Sequence, residues 1–159
     1  MQAFDSLSRD IQQYIYDKGW PSLTRIQNAA IKQVANTDHN LILSAPTASG
    51  KTEAAFIPAL NSVEDWDTGL KVLYISPLKA LINDQFQRIS ELSEYLDIPI
   101  TRWHGEVSQA QKRKVVNQPK GVLLITPESI EGMLVNRPGE ALEPIGTRIF
   151  GPVTRELRN

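Results

Sequence analysis

The chain contains no cysteine, which excludes disulfide bonds and zinc sites with thiolate ligands. Its only two histidines, His39 and His104, argue against a metal site built from imidazoles. No apolar run approaches the roughly 20 residues that span a bilayer, and the polar N-terminus lacks the pattern of a signal peptide. These absences indicate a cytoplasmic protein that does not contact a membrane.

The chain also lacks an excess of either charge. It has 17 basic and 18 acidic residues and a net charge of −1. Such a protein creates no overall attractive field for a polyanion, so any contact with nucleic acid has to be local. Its 159 residues are enough for one domain with a real core and too few for two ordinary domains.

Apolar periodicity predicts two helices followed by an alternation of strands and helices. The first helix contains Leu7 and Ile15 on one face, with Ser6 or Ser8 as its cap, and the second begins near Thr24. Short runs rich in Val, Ile and Leu predict four strands: Asn40–Ser44, Lys71–Ser76, Ile98–Trp103 and Gly121–Thr126. Between and after them, helical patterns cover Leu78–Leu96, Gln109–Asn117 and Glu128–Val135.

This alternation predicts an α/β fold, a three-layer α/β/α arrangement with a parallel sheet between helices. The pattern breaks near Ala141, where prolines and glycines interrupt it. We therefore predict one domain over residues 1–140 and an irregular tail over 141–159. A short extended piece around Thr147–Phe150 is the one element expected in that tail.

The most informative segment is Ala45–Thr52, with the sequence Ala-Pro-Thr-Ala-Ser-Gly-Lys-Thr. It lies between a predicted strand and a helical segment, as a phosphate-binding loop does. The backbone N–H groups of such a loop and of the following helix start cradle phosphate oxygens. Lys51 would reach the β- and γ-phosphates, and the Thr52 hydroxyl would hold Mg²⁺. The segment therefore predicts ATP and Mg²⁺ as cofactors, although Ala45 stands where glycine is more common.

Other candidate residues follow the remaining predicted strands: Ser76–Lys79, Trp103–Glu106 and Thr126–Glu128. The carboxyl ends of parallel strands meet at one edge of a sheet, where ligands of open α/β folds bind. We therefore expect these segments to lie close to one another and to the phosphate loop.

In combination, these segments resemble the first RecA-like domain of superfamily-two helicases of the DEAD/DEAH-box group, and within it the large helicase-related branch. Four segments carry the resemblance: Gly19–Gln27, Ala45–Thr52, Ser76–Leu81 and Thr126–Ser129. The resemblance covers residues 4–140, and helicase loops often begin with alanine, as Ala45 does here. It implies a RecA-like P-loop fold that is incomplete here, ATP binding, and single-stranded DNA or RNA as a partner.

The resemblance also implies roles for individual residues. Gln27 matches the glutamine that reads adenine, and an amide can donate to and accept from that base. The implied nucleotide-binding set is Arg25, Gln27, Thr47, Ala48, Ser49, Gly50, Lys51 and Thr52, with Lys51 and Thr52 catalytic and Thr52 the metal ligand. The implied nucleic-acid contacts are Pro77, Lys79, Thr126 and Pro127. Without the resemblance, Gln27 and Lys79 are interpreted as exposed polar residues.

Two further segments are ambiguous in the sequence. His104-Gly105-Glu106 is interpreted as a turn that approaches the strand-binding surface, because the family often has Gly followed by an acid there. Lys112-Arg113-Lys114 is the only dense basic run, and a solvated helix face is the favoured interpretation.

Helicase-type hydrolysis needs an apolar strand that ends in Asp-Glu, and this dipeptide does not occur in the chain. The resemblance places the pair shortly after Glu140, where the sequence changes character, and places a second RecA-like domain beyond it. We therefore expect a monomer that binds ATP and nucleic acid, has the missing second domain as a partner, and neither hydrolyses ATP nor unwinds alone.

Two alternatives stay open at the level of sequence. One is a non-hydrolysing regulatory or interaction module derived from a helicase. The other is a different phosphate-loop enzyme, a small kinase or a GTPase, although an Asn-Lys-x-Asp guanine-binding motif and an arginine-rich lid are both missing.

Overall fold

The computed structural model of the chain describes residues 2–136 and 148–150. The chain divides into two compact units, Met1–Glu64 and Asp65–Asn159. Among the described residues, no helix is both long enough and apolar enough to cross a bilayer.

The first unit is helical. Its elements are a 3-10 turn at Phe4–Ser6 and the helices α1 (Arg9–Asp17), α2 (Arg25–Asn36) and α3 (Lys51–Asn61). Ser8 caps α1, since its hydroxyl accepts the Ile11 N–H at 3.4 Å, and Thr24 caps α2 in the same way. Both predicted helices are therefore confirmed. The two helix starts are those that local sequence favours.

The C-terminal end of α3 is joined to the start of α1 through one side chain. Asn61 Oδ1 accepts the Ser8 N–H at 2.7 Å, and Asn61 Nδ2 donates to the Ser6 carbonyl at 3.2 Å. Helix α2 packs along α3. These contacts fix the direction in which α3 leaves the loop that precedes it.

The predicted strand at Asn40–Ser44 is wrong. Residues 37–46 have no regular secondary structure, and no strand in the described part of the chain pairs with them. Ile42 is 87% exposed and Leu41 is 38% exposed. An apolar run forms a strand only where a neighbouring strand supplies hydrogen-bond partners, so the run alone was not sufficient evidence.

The second unit is built on a parallel sheet. Its elements in chain order are β1 (Gly69–Ile75), α4 (Lys79–Tyr95), β2 (Ile100–Trp103), α5 (Gln109–Asn117), β3 (Lys120–Ile125), α6 (Pro127–Asn136) and β4 (Arg148–Phe150). The strand order is β2-β3-β1-β4, and every neighbouring pair is parallel. The other three predicted strands and the helices that follow them are confirmed, which confirms the α/β fold with a parallel sheet.

Side chains on the two faces of β2 show that helices cover both sides of the sheet. The Arg102 guanidinium lies 4.9 Å from the centre of the Phe86 ring on α4, and Lys112 Nζ on α5 lies 6.0 Å from the Trp103 ring. Successive strand residues point to opposite faces. Helices α4 and α5 therefore lie on opposite faces of β2.

The core beneath α5 and α6 is a single apolar cluster. Its buried members are Leu70, Leu73, Val115, Leu123, Ile125 and Met133. Leu70 and Leu73 would face opposite sides of a regular strand. The register of β1 against β3 shifts between Leu70 and Val72, so both leucines reach the same cluster.

Gly121 allows β2 to approach the start of β3. Its φ angle is +70°, and a Cβ there would overlap the Pro99 carbonyl group. That carbonyl accepts the Val122 N–H at 2.8 Å. Only glycine combines this backbone angle with this close contact.

The predicted tail is described over three residues only. Arg148–Phe150 form β4, which pairs with β1 in the register Leu73 to Ile149. These residues confirm part of the predicted extended piece. Thr147 and the other residues of 141–159 lie outside the described part of the chain.

Candidate functional site

The predicted phosphate loop ends in a left-handed turn. Gly50 is the residue before α3 and has φ 78° and ψ 31°, and Ala48 has φ 61°. Residues with left-handed backbone angles in a tight turn direct neighbouring backbone N–H groups toward one concave side. Gly50 offers no side-chain cap to α3, so the N–H groups and the positive end of this helix face the loop.

Lys51 closes the loop on itself. Its Nζ donates to the Ala45 carbonyl at 2.6 Å, so the bond joins the two ends of the predicted phosphate loop. The Ser49 hydroxyl donates to the Pro46 carbonyl at 2.7 Å and tightens the same turn. Lys51 is exposed. The ammonium group therefore has to leave only one carbonyl to contact a phosphate.

Gln27 lies against this loop and is not an exposed helix residue. It is 4% exposed, and its Nε2 donates to the Gly50 carbonyl at 3.3 Å. Its Oε1 accepts the Thr24 N–H at 2.9 Å, while the Gln27 N–H donates to Thr24 Oγ1 at 3.4 Å. This capping box holds the amide in one orientation and joins the start of α2 to the start of α3.

Other predicted nucleotide-binding residues are more exposed than Gln27 and lie at the starts of α2 and α3 or in the loop itself. Arg25 is the first residue of α2 and is exposed, as is Thr47. Thr52 is half-buried in the first turn of α3. In a Mg²⁺–nucleotide complex its hydroxyl could supply one oxygen ligand, with phosphates and water supplying the others. Their roles in binding stay predictions.

In the second unit, three predicted segments meet where parallel strands end. The Ser76 N–H donates to the Ile125 carbonyl at 3.1 Å, and the Thr126 N–H donates to the Trp103 carbonyl at 3.3 Å. These bonds continue the ladder past β1, β2 and β3. The structure thus brings Ser76–Lys79, Trp103–Glu106 and Thr126–Glu128 together, as expected for this unit.

Helices α4 and α6 begin at this edge. The exposed Pro77 precedes α4, and the exposed Pro127 is the first residue of α6. Thr126 is 4% exposed, and its hydroxyl donates to Ser129 Oγ at 2.9 Å. Thr126 is therefore less accessible than the residues that follow it, since Pro127 and Glu128 are exposed and Ser129 is half-buried.

Lys79 meets Glu106 across the edge. The distance from Lys79 Nζ to Glu106 Oε1 is 3.3 Å, and the two side chains are 50% and 72% exposed. An ion pair so accessible to water contributes little stability. Lys79 is consequently available to exchange the carboxylate for another anion.

A partly buried network that the sequence did not reveal supports the Glu106 turn. Asn83 Oδ1 accepts from Arg102 Nη1 and from His104 Nε2, each at 3.0 Å. The Glu106 N–H donates to His104 Nδ1 at 3.3 Å. Burial, assisted by the charges of Arg102, Lys79 and Lys112, lowers the pKa of His104 despite the opposing effect of Glu106. The neutral Nε2–H tautomer satisfies all these contacts, and Asn83 is the residue that fixes it.

Comparison with known proteins agrees with the motif order. The sequence pattern of the DEAD/DEAH box helicase family matches residues 24–150. The Lhr helicase/uracil glycosylase of Escherichia coli is 32% identical over an alignment 154 residues long, which covers 82% of this chain and 10% of that protein. The ATP-dependent helicase Lhr-Core of Saccharolobus solfataricus is 31% identical over an alignment 133 residues long, which covers 75% of this chain and 15% of that protein.

A solved relative shares the fold. The Mycobacterium smegmatis helicase Lhr, in a structure bound to single-stranded DNA and AMP-PNP, superimposes with a TM-score of 0.80 at 28% identity. The match covers 94% of this chain and 21% of the helicase. The chain therefore spans a small part of the length of the relatives it matches.

Proposed function

Since the chain belongs to the DEAD/DEAH box helicase family, we propose that it is the ATP-binding and nucleic-acid-binding N-terminal portion of an ATP-dependent helicase. We propose further that it neither hydrolyses ATP nor unwinds a duplex without the remaining helicase elements. A cytoplasmic location and a monomeric state stay predictions.

The observation that carries the nucleotide assignment is the contact between Gln27 and Gly50. It joins the residue proposed to read adenine to the turn proposed to hold phosphates, 23 positions apart in sequence. Gln27 Nε2 and Oε1 already have partners on the protein. An adenine edge that replaces one of them would exchange one hydrogen bond for another, so recognition of the base would be coupled to the position of Gly50.

The phosphates of ATP would lie against the N–H groups of Ala48–Lys51, where the start of α3 favours negative charge. Lys51 Nζ would leave the Ala45 carbonyl for a phosphate oxygen, a stronger charge-assisted bond. The Thr52 hydroxyl would contribute one ligand to Mg²⁺, which lowers the charge of the nucleotide. These groups bind and orient ATP.

Hydrolysis requires an oriented water as well. In this fold an Asp-Glu pair helps to hold the metal and positions that water, and the chain contains no such dipeptide. Orientation and electrostatic stabilisation account for most of the acceleration in phosphoryl transfer. ATP turnover by this chain alone is therefore expected to be negligible.

The nucleic-acid contacts would lie at the edge where α4 and α6 begin. Pro77 and Lys79 are exposed at the first helix, and Pro127 follows the buried Thr126 at the second. Two helix starts favour phosphate groups, and Lys79 would exchange Glu106 for a phosphate. Contacts of this kind position a strand without reading its bases. They are consistent with DNA or RNA as the strand.

The test is titration of the chain and two lysine variants with a fluorescent ATP analogue in Mg²⁺. Lys51→Ala is expected to weaken binding at least about tenfold, the effect of losing one charge-assisted bond. Lys32→Ala, at an exposed lysine of α2, is the control and should bind as the unmodified chain does. Equal affinity of all three proteins would refute the nucleotide assignment.

The strand assignment is tested separately with a labelled single-stranded oligonucleotide. Lys79→Ala should weaken binding and flatten its dependence on salt, whereas Lys32→Ala should change neither quantity. Measured ATP hydrolysis or duplex unwinding by the unmodified chain at rates typical of helicases would contradict the proposal that it lacks turnover.

A further inference from the structure

A groove of about 560 Å³ lies between α5 and α6 in the second unit. Its wall includes Trp103, Lys112, Arg113, Asn117, Ser129 and Asn136. From the sequence alone, a solvated helix face is the favoured interpretation of Lys112 and Arg113. The structure places both against this groove, and Lys114, the third member of the basic run, outside it.

Trp103 lies at one side of the groove. Part of its ring packs against the apolar cluster that contains Val115 and Met133, and the rest faces the groove. Lys112 Nζ lies 6.0 Å from the ring centre. Because Lys112 Nζ lies over the ring, a base that stacks on Trp103 displaces this ammonium group, which can then contact a phosphate. Bases of single-stranded nucleic acid stack on aromatic rings that have cations near them.

The charges in the groove have one sign. Lys112 and Arg113 are the charged residues of its described lining, and that lining contains no carboxylate. The other polar groups there, those of Gln109, Asn117, Ser129 and Asn136, are uncharged. An anionic occupant therefore meets two cations and no repulsion inside the groove, in a chain whose net charge is −1.

The groove continues from the strand-end edge. Ser129 lines it and accepts the hydrogen bond from Thr126, and Gln109, at the start of α5, also lines it. From there it runs along α5 toward Asn117. At a rise of 1.5 Å per residue, a nine-residue helix extends about 13 Å. That length accommodates a few nucleotides.

We propose that this groove binds the continuation of a single nucleic-acid strand that crosses the edge at Thr126–Pro127. Lys112 and Arg113 contact its phosphates, and Trp103 stacks with one of its bases. This inference rests on the proposed function, because it takes a strand bound at Lys79 and Thr126–Pro127 as its starting point. The bases are held by stacking, so the groove accepts any sequence.

The experiment measures the affinity of a labelled single strand at several salt concentrations. The double variant Lys112→Ala/Arg113→Ala should lower the slope of log affinity against log salt by about 1.4, since each lost phosphate contact removes about 0.7. Lys114→Ala is the matched control, because it removes a charge from the same helix outside the groove. It should leave the slope unchanged.

Trp103→Phe and Trp103→Leu test the stacking. Loss of the aromatic face in Trp103→Leu should weaken binding about 5- to 150-fold, and Trp103→Phe should retain most of the affinity. Because Trp103 also packs on the core, thermal unfolding is recorded for both variants. The charge-removing double variant, which leaves the core intact, decides the outcome if Trp103→Leu is unfolded.

The outcomes separate the two proposals. If Lys79→Ala weakens binding and the double variant behaves as Lys114→Ala does, the groove assignment is overturned and the proposed function stands. If the unmodified chain does not bind the strand, both are overturned. A third outcome would assign the groove to an acidic peptide instead. In that case the single strand binds the groove variants and the unmodified chain equally well, and polyglutamate binds the unmodified chain but not the double variant.

Discussion

Replacing Gly50 with alanine tests whether Gln27 and the phosphate loop are mechanically joined. Two penalties are expected. At φ 78° an alanine pays about 1–2 kcal/mol for the left-handed conformation. Its Cβ would also overlap Gln27 Nε2 and lie 3.3 Å from Gln27 Cδ and 3.5 Å from Thr24 Oγ1.

The overlap forces the Gln27 amide to move. This movement removes the hydrogen bond from Gln27 to the Gly50 carbonyl, which contributes about 0.5–1.5 kcal/mol net. Accommodating the added Cβ against the buried Gln27 side chain costs about 1–3 kcal/mol more. The total expected loss of unfolding free energy for Gly50→Ala is therefore about 2.5–6.5 kcal/mol. In a chain that already carries Gln27→Ala, only the backbone penalty remains, so the same change should cost about 1–2 kcal/mol.

Urea unfolding of the four proteins of this double-mutant cycle, at pH 7, measures the coupling. Gly19→Ala provides the reference for backbone strain, because Gly19 has φ 65° and nothing lies within 4 Å of its added Cβ. The coupling energy between positions 27 and 50 should be about 1.5–4.5 kcal/mol, which is the sum of the lost hydrogen bond and the overlap. Equal costs of Gly50→Ala in both backgrounds would refute the contact on which the nucleotide assignment rests.

Two further predictions concern the second unit. Gly121→Ala should destabilise the chain by about 3 kcal/mol or more, because the added Cβ would overlap the Pro99 carbonyl. The control Gly132→Ala on α6, where nothing lies within 4 Å of the added Cβ, should stabilise the chain by about 1 kcal/mol. Similar free energies of unfolding in urea for the two variants would contradict this prediction. Because burial lowers the pKa of His104, the unfolded chain takes up a proton near pH 6.5 that the folded chain does not. Stability should accordingly fall as the pH drops below about 6.5, and the fall should end once the pH is below the pKa of His104 in the folded chain. Thermal unfolding between pH 7.5 and 5 should show that stability depends less on pH in His104→Gln than in the unmodified chain. An equal change of this pH dependence in His104→Gln and in the control His39→Gln would contradict the prediction.

Much of the fold could be predicted because its signals are local. Ser8 and Thr24 lie where hydroxyl caps start helices, and the apolar runs that became β1, β2 and β3 are bounded by turn residues. The loop Ala45–Thr52 was identified by its residue pattern and by the strand and helix predicted on either side of it, of which the structure has only the helix, α3. The same local reasoning failed at Asn40–Ser44, since pairing with another strand cannot be inferred from the run itself.

The order of helices and strands, the parallel sheet and the family were determined by the sequence, through periodicity, caps and motif order. Tertiary structure decided which groups touch. Gln27 contacts Gly50, Asn83 fixes His104, and Trp103 lies beside Lys112. Each of these contacts joins residues that are distant in sequence or on different elements, and depends on how closely backbones approach. A sequence pattern has the periodicity of one element, whereas burial and hydrogen-bond partners are set by the neighbouring elements that pack against it.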